Sequence, residues 1–415
     1  MQQLSGWRVV LKGAVSLSAL EVMGLALGLV TLPWLLRVLG PDEFGRYAVG
    51  MSAATVLALV ADYGFAQHGP RAVALTEPGS ELRRQLLWSV QAAKLLLVLV
   101  SAPLVFAVVR LLALHVTYAD VLWAAWAGAL SSLLMPAWFL QGGQMYRTLA
   151  INQALARLLV TAATLSLVSS GTDAALAVFF QASAGASAGL LALADRSYRA
   201  AIRWAWPSRA EVRLQLSSAW PLFISNVAIT SYTQAVPLVL GVLTTPFTVG
   251  LFSVADRLRA ALQALLAPLG VAAYPWFARS LHEDRAKGLV AARQLLWLQL
   301  GLAGLAALGL VLGAGPLLLL LGGEAYVDAA PAARLLGLCM VCTAVSNSLG
   351  VQLMLSLRME RAFATILVLA ASCGLVATCL LAPLWQHTGA ALAVLATEAL
   401  VVLLMALHLR RRGVI

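Results

Sequence analysis

Charge is what this sequence has least of. Only 11% of its 415 residues are Asp, Glu, Lys or Arg, against roughly 25% in an ordinary soluble domain. Apolar residues make up 61%, so most of the chain cannot fold in water. Cysteine is also scarce: Cys339, Cys342, Cys373 and Cys379 all lie in apolar segments. Cys339 and Cys342 spell C-x-x-C, but within a membrane-type helix rather than a strand-to-helix turn, so they read as packing residues with no disulfide or metal framework. There is no Walker-type phosphate loop, no H-x-x-x-H metal pair and no nucleophile placed beside a base. An ATP-driven or catalytic function has no residues to stand on, and no cofactor is expected. Long polar stretches are missing too. The longest, about 195–215, is too short to fold alone.

What the chain does have is apolar runs of membrane length. A bilayer core takes roughly 20 apolar residues per helix, and such runs are predicted at 14–36, 47–69, 87–109, 120–140, 149–169, 174–194, 216–241, 249–276, 289–313, 331–355, 363–383 and 389–408. Irregular backbone in hydrocarbon leaves polar groups unpaired, so each run is expected to be helical. The expectation is an all-α polytopic membrane protein with about twelve transmembrane helices. The first run follows Arg8 and Lys12 and stays apolar to Leu36. It exceeds the roughly 7–15 residues of a signal-peptide core and lacks a clear cleavage site, so it is expected to be retained.

The net charge of +11 is informative only through its placement. With the N-terminus in the cytoplasm, inner segments hold 20 of the 28 basic residues, outer loops hold only Arg37, Arg46 and Arg110, and five lie within helices. Basic residues near helix ends resist translocation, so this asymmetry predicts both termini in the cytoplasm. Spread along one membrane face rather than gathered into a stripe with aromatics, the same charge speaks against nucleic acid.

A weak repeat relates the two halves. Pro33 through Gly45 to Tyr47 can be set against Pro237 through Gly250 to Phe252, with one insertion: a proline near a helix end, a proline turn, then Gly-x-aromatic. The halves, 1–205 and 206–415, would share orientation and be related by a pseudo-two-fold axis along the membrane normal.

A charge at the bilayer centre costs roughly 2.5–3.5 kcal/mol even on the gentlest scale, so ionisable residues inside these runs are functional candidates. They are Glu21, Asp62, Lys94, Arg157, Asp256, Arg257, Arg259, Arg334 and Glu398. Asp62 and Arg334 lie near helix ends, where snorkelling is the simpler expectation. Asp256, Arg259 and Gln263 share one helical face by spacing, and an ion pair within that face competes with a ligand role. Asn226, Thr230, Thr233 and Gln234 form a polar stripe ending at Pro237, either glue between helices or the lining of a path. More intramembrane Arg and Lys than Asp and Glu suits an anion, phosphate above all, because guanidinium forks match phosphate oxygens.

Several stretches carry a family likeness: Leu39-Gly-Pro-Asp-Glu-Phe-Gly-Arg-Tyr47, Asp62-Tyr-Gly-Phe65 with Arg71, Trp138-Phe-Leu-Gln-Gly142, Val249-Gly-Leu-Phe-Ser-Val-Ala-Asp-Arg257, and Glu324-Ala-Tyr326 through Arg334 to Asn347, Leu349-Gly350 and Arg358. With these the chain resembles the Wzx-like polysaccharide repeat-unit flippases of the multidrug/oligosaccharidyl-lipid/polysaccharide exporter superfamily. The resemblance implies two six-helix bundles around an alternating cavity in the bacterial inner membrane. It implies as cargo an undecaprenyl-diphosphate-linked oligosaccharide, with membrane lipid, a polysaccharide polymerase and chain-length proteins as partners. Arg257, Arg259, Arg157 and Lys94 would then neutralise the diphosphate, Asn226, Gln234 and Gln263 would meet sugars, and Glu21, Asp62, Asp256 or Glu398 would couple an ion. Gly143-Gln144 departs from the family pattern, in which an acid often follows, and removes that acid as a coupling candidate. A small-molecule or multidrug exporter of the same superfamily is the alternative.

Overall fold

The computed structural model describes residues 2–111, 114, 117–283 and 285–414. Among these, every regular element is helical. The order is α1 (Gln2–Asp62), α2 (Phe65–Ala74), α3 (Glu81–Leu111), α4 (Ala119–Ser131), α5 (Ala137–Gly142), α6 (Tyr146–Leu167), α7 (Ala174–Ala182), α8 (Ala184–Ala192), α9 (Arg196–Ala201), α10 (Arg209–Leu243), α11 (Pro246–Glu283), α12 (Arg285–Gly322), a 3₁₀ turn (Glu324–Ala329), α13 (Ala330–Asn347), a π-helical turn (Ser348–Met354) and α14 (Glu360–Arg411).

By length and composition, six helices among the described residues can cross a membrane, or seven if α7 and α8, bent by 41°, count as one span. Two of the six are double-length. A 52-residue helix such as α14 would run roughly 78 Å, more than twice the ~30 Å hydrocarbon thickness. Both double-length helices break in the middle: α1 at Gly40 (φ 68°, ψ 175°), a conformation open to glycine, and α14 at Trp385–Gln386. Pro41, after the first break, has no amide hydrogen to lose and suits the start of the next helix.

All twelve apolar runs fall on helix, but four are interrupted where the sequence suggested continuity. Tyr63 and Gly64 separate α1 from α2, residues 132–136 separate α4 from α5, Ser183 separates α7 from α8, and the π-helical turn follows α13. Conversely, α12 runs on through Pro316 to Gly322, beyond the predicted end at 313.

Contacts group the chain into two compact units, Met1–Gln234 and Ala235–Ile415. This division falls inside α10, because the N-terminal part of α10 packs on the break between α1 and α2. In the first unit α4 packs on α1 and α7, α6 on α1 and α8, and α2 on α5. Phe65, Val73, Leu87, Val90, Trp138 and Phe139 form one core cluster there. In the second, α13 packs between α12 and α14, and α11 packs on α12. Leu353, Met354, Ile366, Val401, Met405 and Leu409 fill a core cluster of that unit. Large apolar side chains face outward, including Leu104, Leu305, Leu312 and Leu380, each more than 60% exposed. Apolar exposure on this scale needs lipid around it.

The Leu39–Tyr47 signature has a structural role. Arg46 pairs with Glu43 one turn back and with Asp120 of α4 at 2.5 Å, and its Nε donates to the Thr117 carbonyl at 2.8 Å. This clamps the second half of α1 to the start of α4. Phe44 and Tyr47 are buried beside it. In the second unit Pro246 opens α11, Thr245 Oγ1 accepts from the Thr248 amide, and Val249 and Phe252, which the sequence sets against Phe44 and Tyr47, are buried.

Candidate functional site

The polar residues inside the helices gather into a few bonded groups. In the first unit, Lys94 of α3 is 4% exposed and its Nζ lies 3.3 Å from Asp62 Oδ1 at the end of α1. The other Asp62 oxygen accepts the Ala66 amide at 3.1 Å. Asp62, expected to snorkel, instead holds a buried cation and caps the first turn of α2. The break beside it is built by Tyr63 (φ 50°) and Gly64 (φ 85°). A Cβ on Gly64 would sit 2.8 Å from Leu222 Cβ and 3.2 Å from the Ala219 carbonyl oxygen of α10. Gly64→Ala therefore combines left-handed strain with a clash. It should lower stability by about 1–3 kcal/mol, read as a drop in midpoint on thermal unfolding in detergent; an unchanged midpoint would mean that this contact is absent.

Next to the break, Tyr63 stacks on Phe223 with ring centroids 4.4 Å apart. Gln67 Nε2 donates to Asn226 Oδ1 at 3.3 Å. Asn226 thus ties α10 to α2. Gln67 was missed in the sequence because a lone amide next to the quoted Asp62–Phe65 motif gives no signal without its partner. Gln234 is half-buried further along α10, and the Thr233 side chain lies outside the described residues. Arg157 of α6 donates Nη1 to the Leu20 carbonyl of α1 at 2.5 Å. A Cβ on Gly24 would overlap that same guanidinium, so glycine there is what admits Arg157 to the backbone of α1. Glu21, which follows Leu20 in α1, is exposed.

In the second unit the predicted face of α11 is a bonded triad. Arg259 donates Nε to Asp256 Oδ1 at 2.8 Å and Nη1 to Gln263 Oε1 at 2.7 Å, with Nη2 also on Asp256 at 2.6 Å. Glu398 of α14 is half-buried. Arg257, half-buried, is the neighbour of Arg259 on α11. Sequence reasoning also missed Gln299 and Ser348: Ser348 Oγ donates to Gln299 Oε1 at 2.6 Å where α12 meets the π-helical turn, an irregularity common at functional sites. Arg334 is exposed near the start of α13. Among the described residues no cluster of His, Cys, Asp or Glu could hold a metal.

A multi-pass chain whose regular elements are all helical among the described residues, with ion pairs and amide hydrogen bonds inside those helices, has the architecture of a membrane transporter. Comparisons agree. The model of the polysaccharide biosynthesis protein family matches residues 10–282, and the chain belongs to that family. A curated Escherichia coli K12 protein named "Putative O-antigen transporter" is 29% identical over 399 residues, 96% of each chain. A Shigella dysenteriae protein of the same name is 26% identical over 59% of this chain and 62% of its own length. Among solved structures, the lipid II flippase MurJ in an inward closed conformation gives a TM-score of 0.68 at 11% identity, covering 96% of this chain and 87% of that one. An inward-facing multidrug resistance MATE family transporter of the MOP superfamily gives 0.57 at 13% identity, covering 92% and 97%. The fold is therefore that of the MOP transporters.

Proposed function

We propose that this chain is a flippase that carries undecaprenyl-diphosphate-linked oligosaccharide units from the cytoplasmic to the periplasmic leaflet of a bacterial inner membrane by alternating access. The observation that carries this proposal is the end-to-end likeness to a curated relative named for O-antigen transport. The twelve helical apolar runs would form two six-helix halves with both termini in the cytoplasm. In each half, intramembrane cations stand ready to exchange a protein partner for phosphate oxygens: Lys94 and Arg157 in the first, Arg257 and Arg259 in the second. Asn226, Gln234 and Gln263 would meet the sugars, while the polyprenyl tail stays in lipid. Glu21, Asp62, Asp256 and Glu398 are the acids available for ion coupling. The polymerase and chain-length proteins of the same pathway would act on the delivered unit.

Deleting the gene in its host should abolish surface polysaccharide while the lipid-linked unit accumulates in the inner leaflet. Unchanged polymer with no trapped unit, in a strain lacking a second flippase, would reject the proposal. The fold likeness to a multidrug transporter supports a second function, drug export. It predicts lowered sensitivity to cationic dyes on expression, which the flippase does not.

A further inference from the structure

Away from the charged groups, the first unit carries an apolar cleft of about 360 Å³, within the roughly 300–1,000 Å³ of small-ligand sites. Trp88 and Leu95 of α3, Leu133, Leu190 of α8, Leu193 and Trp204 are among its lining residues. Most polar groups of the lining are already engaged, the buried Gln91 Oε1 excepted. Trp88 Nε1 donates to the Arg203 carbonyl at 3.1 Å, Tyr198 donates its hydroxyl to the Leu134 carbonyl at 3.2 Å, and Gln91 Nε2 donates to the Leu133 carbonyl. What such a cleft offers a guest is hydrocarbon contact. Leu190 is 61% exposed on its rim.

The segment that closes one side of the cleft has two chemical faces. Tyr198 and Ile202 turn into the cleft, while Arg196, Arg199, Arg203, Arg209 and Arg213, spaced through the same stretch, are all exposed. The arginines outnumber the acids of the stretch five to two: Asp195 accepts from Thr148 at 2.6 Å, and Glu211 accepts the Ser208 amide at 2.7 Å. The Trp204 ring packs tilted against Trp88, with ring centroids 4.1 Å apart, and meets Trp206 edge-on, and Trp206 is 83% exposed. Tryptophan and arginine side by side at the end of apolar helices mark headgroup depth.

The geometry points to a binding site for one anionic membrane phospholipid, with an acyl chain in the cleft and its phosphate among Arg196, Arg199 and Arg203. An apolar slot alone would accept any lipid; the five exposed arginines of the same stretch, which flank the slot rather than line it, select for negative charge. This site does not depend on the identity of the cargo.

The test is native mass spectrometry of the full chain, delipidated in mild detergent and titrated with phosphatidylglycerol, phosphatidylethanolamine or undecaprenyl diphosphate. The wild type should retain phosphatidylglycerol in preference to phosphatidylethanolamine. The exposed pair Arg199→Gln with Arg203→Gln should weaken phosphatidylglycerol about thirty-fold and leave phosphatidylethanolamine unchanged. Leu190→Trp, which fills the cleft from its rim, should weaken both. Equal retention of the two phospholipids by the wild type, unchanged binding in the arginine variant, or unchanged binding in Leu190→Trp would each overturn the proposal. Preferential retention of undecaprenyl diphosphate, lost in Leu190→Trp, would assign the cleft to the polyprenyl tail and overturn it as well.

Discussion

Replacing Asp62 with asparagine should destabilise the protein by about 3–5 kcal/mol, the loss that follows when a buried ion pair is broken by removing one partner. Lys94 is the reason. It is 4% exposed, its ammonium lies 3.3 Å from Asp62, and an amide offers it a dipole in place of a charge. Lys94→Met should cost less, since the Asp62 side chain keeps 29% exposure and still accepts the Ala66 amide. Combining the two should recover much of the loss, giving a coupling near the upper end of the roughly 0.5–3 kcal/mol seen between contacting residues. Thermal unfolding of all four proteins in one detergent measures the cycle. Independent, additive losses would show that the two side chains do not meet in the folded protein. Because the pair ties α3 to the break between α1 and α2, both single variants should also depress transport more than the double variant does. If Asp62 instead couples a proton, the double variant will regain stability without regaining transport.

That pair was not legible in the sequence, although both members were singled out there. Asp62 and Lys94 are 32 positions apart, and no periodicity links an acid on one helix to a base on the next. Local spacing did place Asp256, Arg259 and Gln263 on one face of α11, because residues three, four and seven apart on a helix share a side whatever surrounds it. Arg157 shows the opposite limit. Its partner is the backbone carbonyl of Leu20, 137 positions away, and a carbonyl carries no side-chain signature; only Gly24, which makes room for the guanidinium, left a trace. The apolar runs revealed where helices lie, since burial in lipid demands satisfied backbone groups. They did not reveal the interruptions at Gly64, at residues 132–136 and at Ser183, where neighbouring helices make a break tolerable. Arg46 stood in the sequence as an outer basic residue and as part of the Leu39–Tyr47 stretch, and its clamp on Asp120 depends on a fold that brings α4 beside α1.

For the second unit the largest effects are expected at the Arg259–Asp256 pair, and at Asp256 they should have opposite signs for binding and for turnover. Arg259 is fully engaged: two of its nitrogens on Asp256 and one on Gln263. If a diphosphate is bound here, it must displace Asp256 from the guanidinium, so the acid competes with the cargo in the empty state. Such competition keeps the site from holding either end state too firmly, as transport requires, because a ligand shifts a conformational equilibrium only by its differential affinity. Arg259→Gln removes charge-assisted bonds worth roughly 1.5–3 kcal/mol, which corresponds to a loss of about ten- to more than a hundred-fold in undecaprenyl diphosphate affinity. Adding Arg257→Gln should abolish complementation of a flippase deletion. Asp256→Asn keeps the shape but withdraws the competing charge. It should tighten binding of the same probe while slowing restoration of surface polysaccharide, since cargo held more firmly is released more slowly. Binding measured on purified protein, beside polysaccharide restored in cells at equal expression, separates the two effects. If Asp256→Asn weakens both, the triad is structural and the anion cradle lies elsewhere; if Arg257→Gln with Arg259→Gln leaves transport intact in well-folded protein, the diphosphate does not bind there.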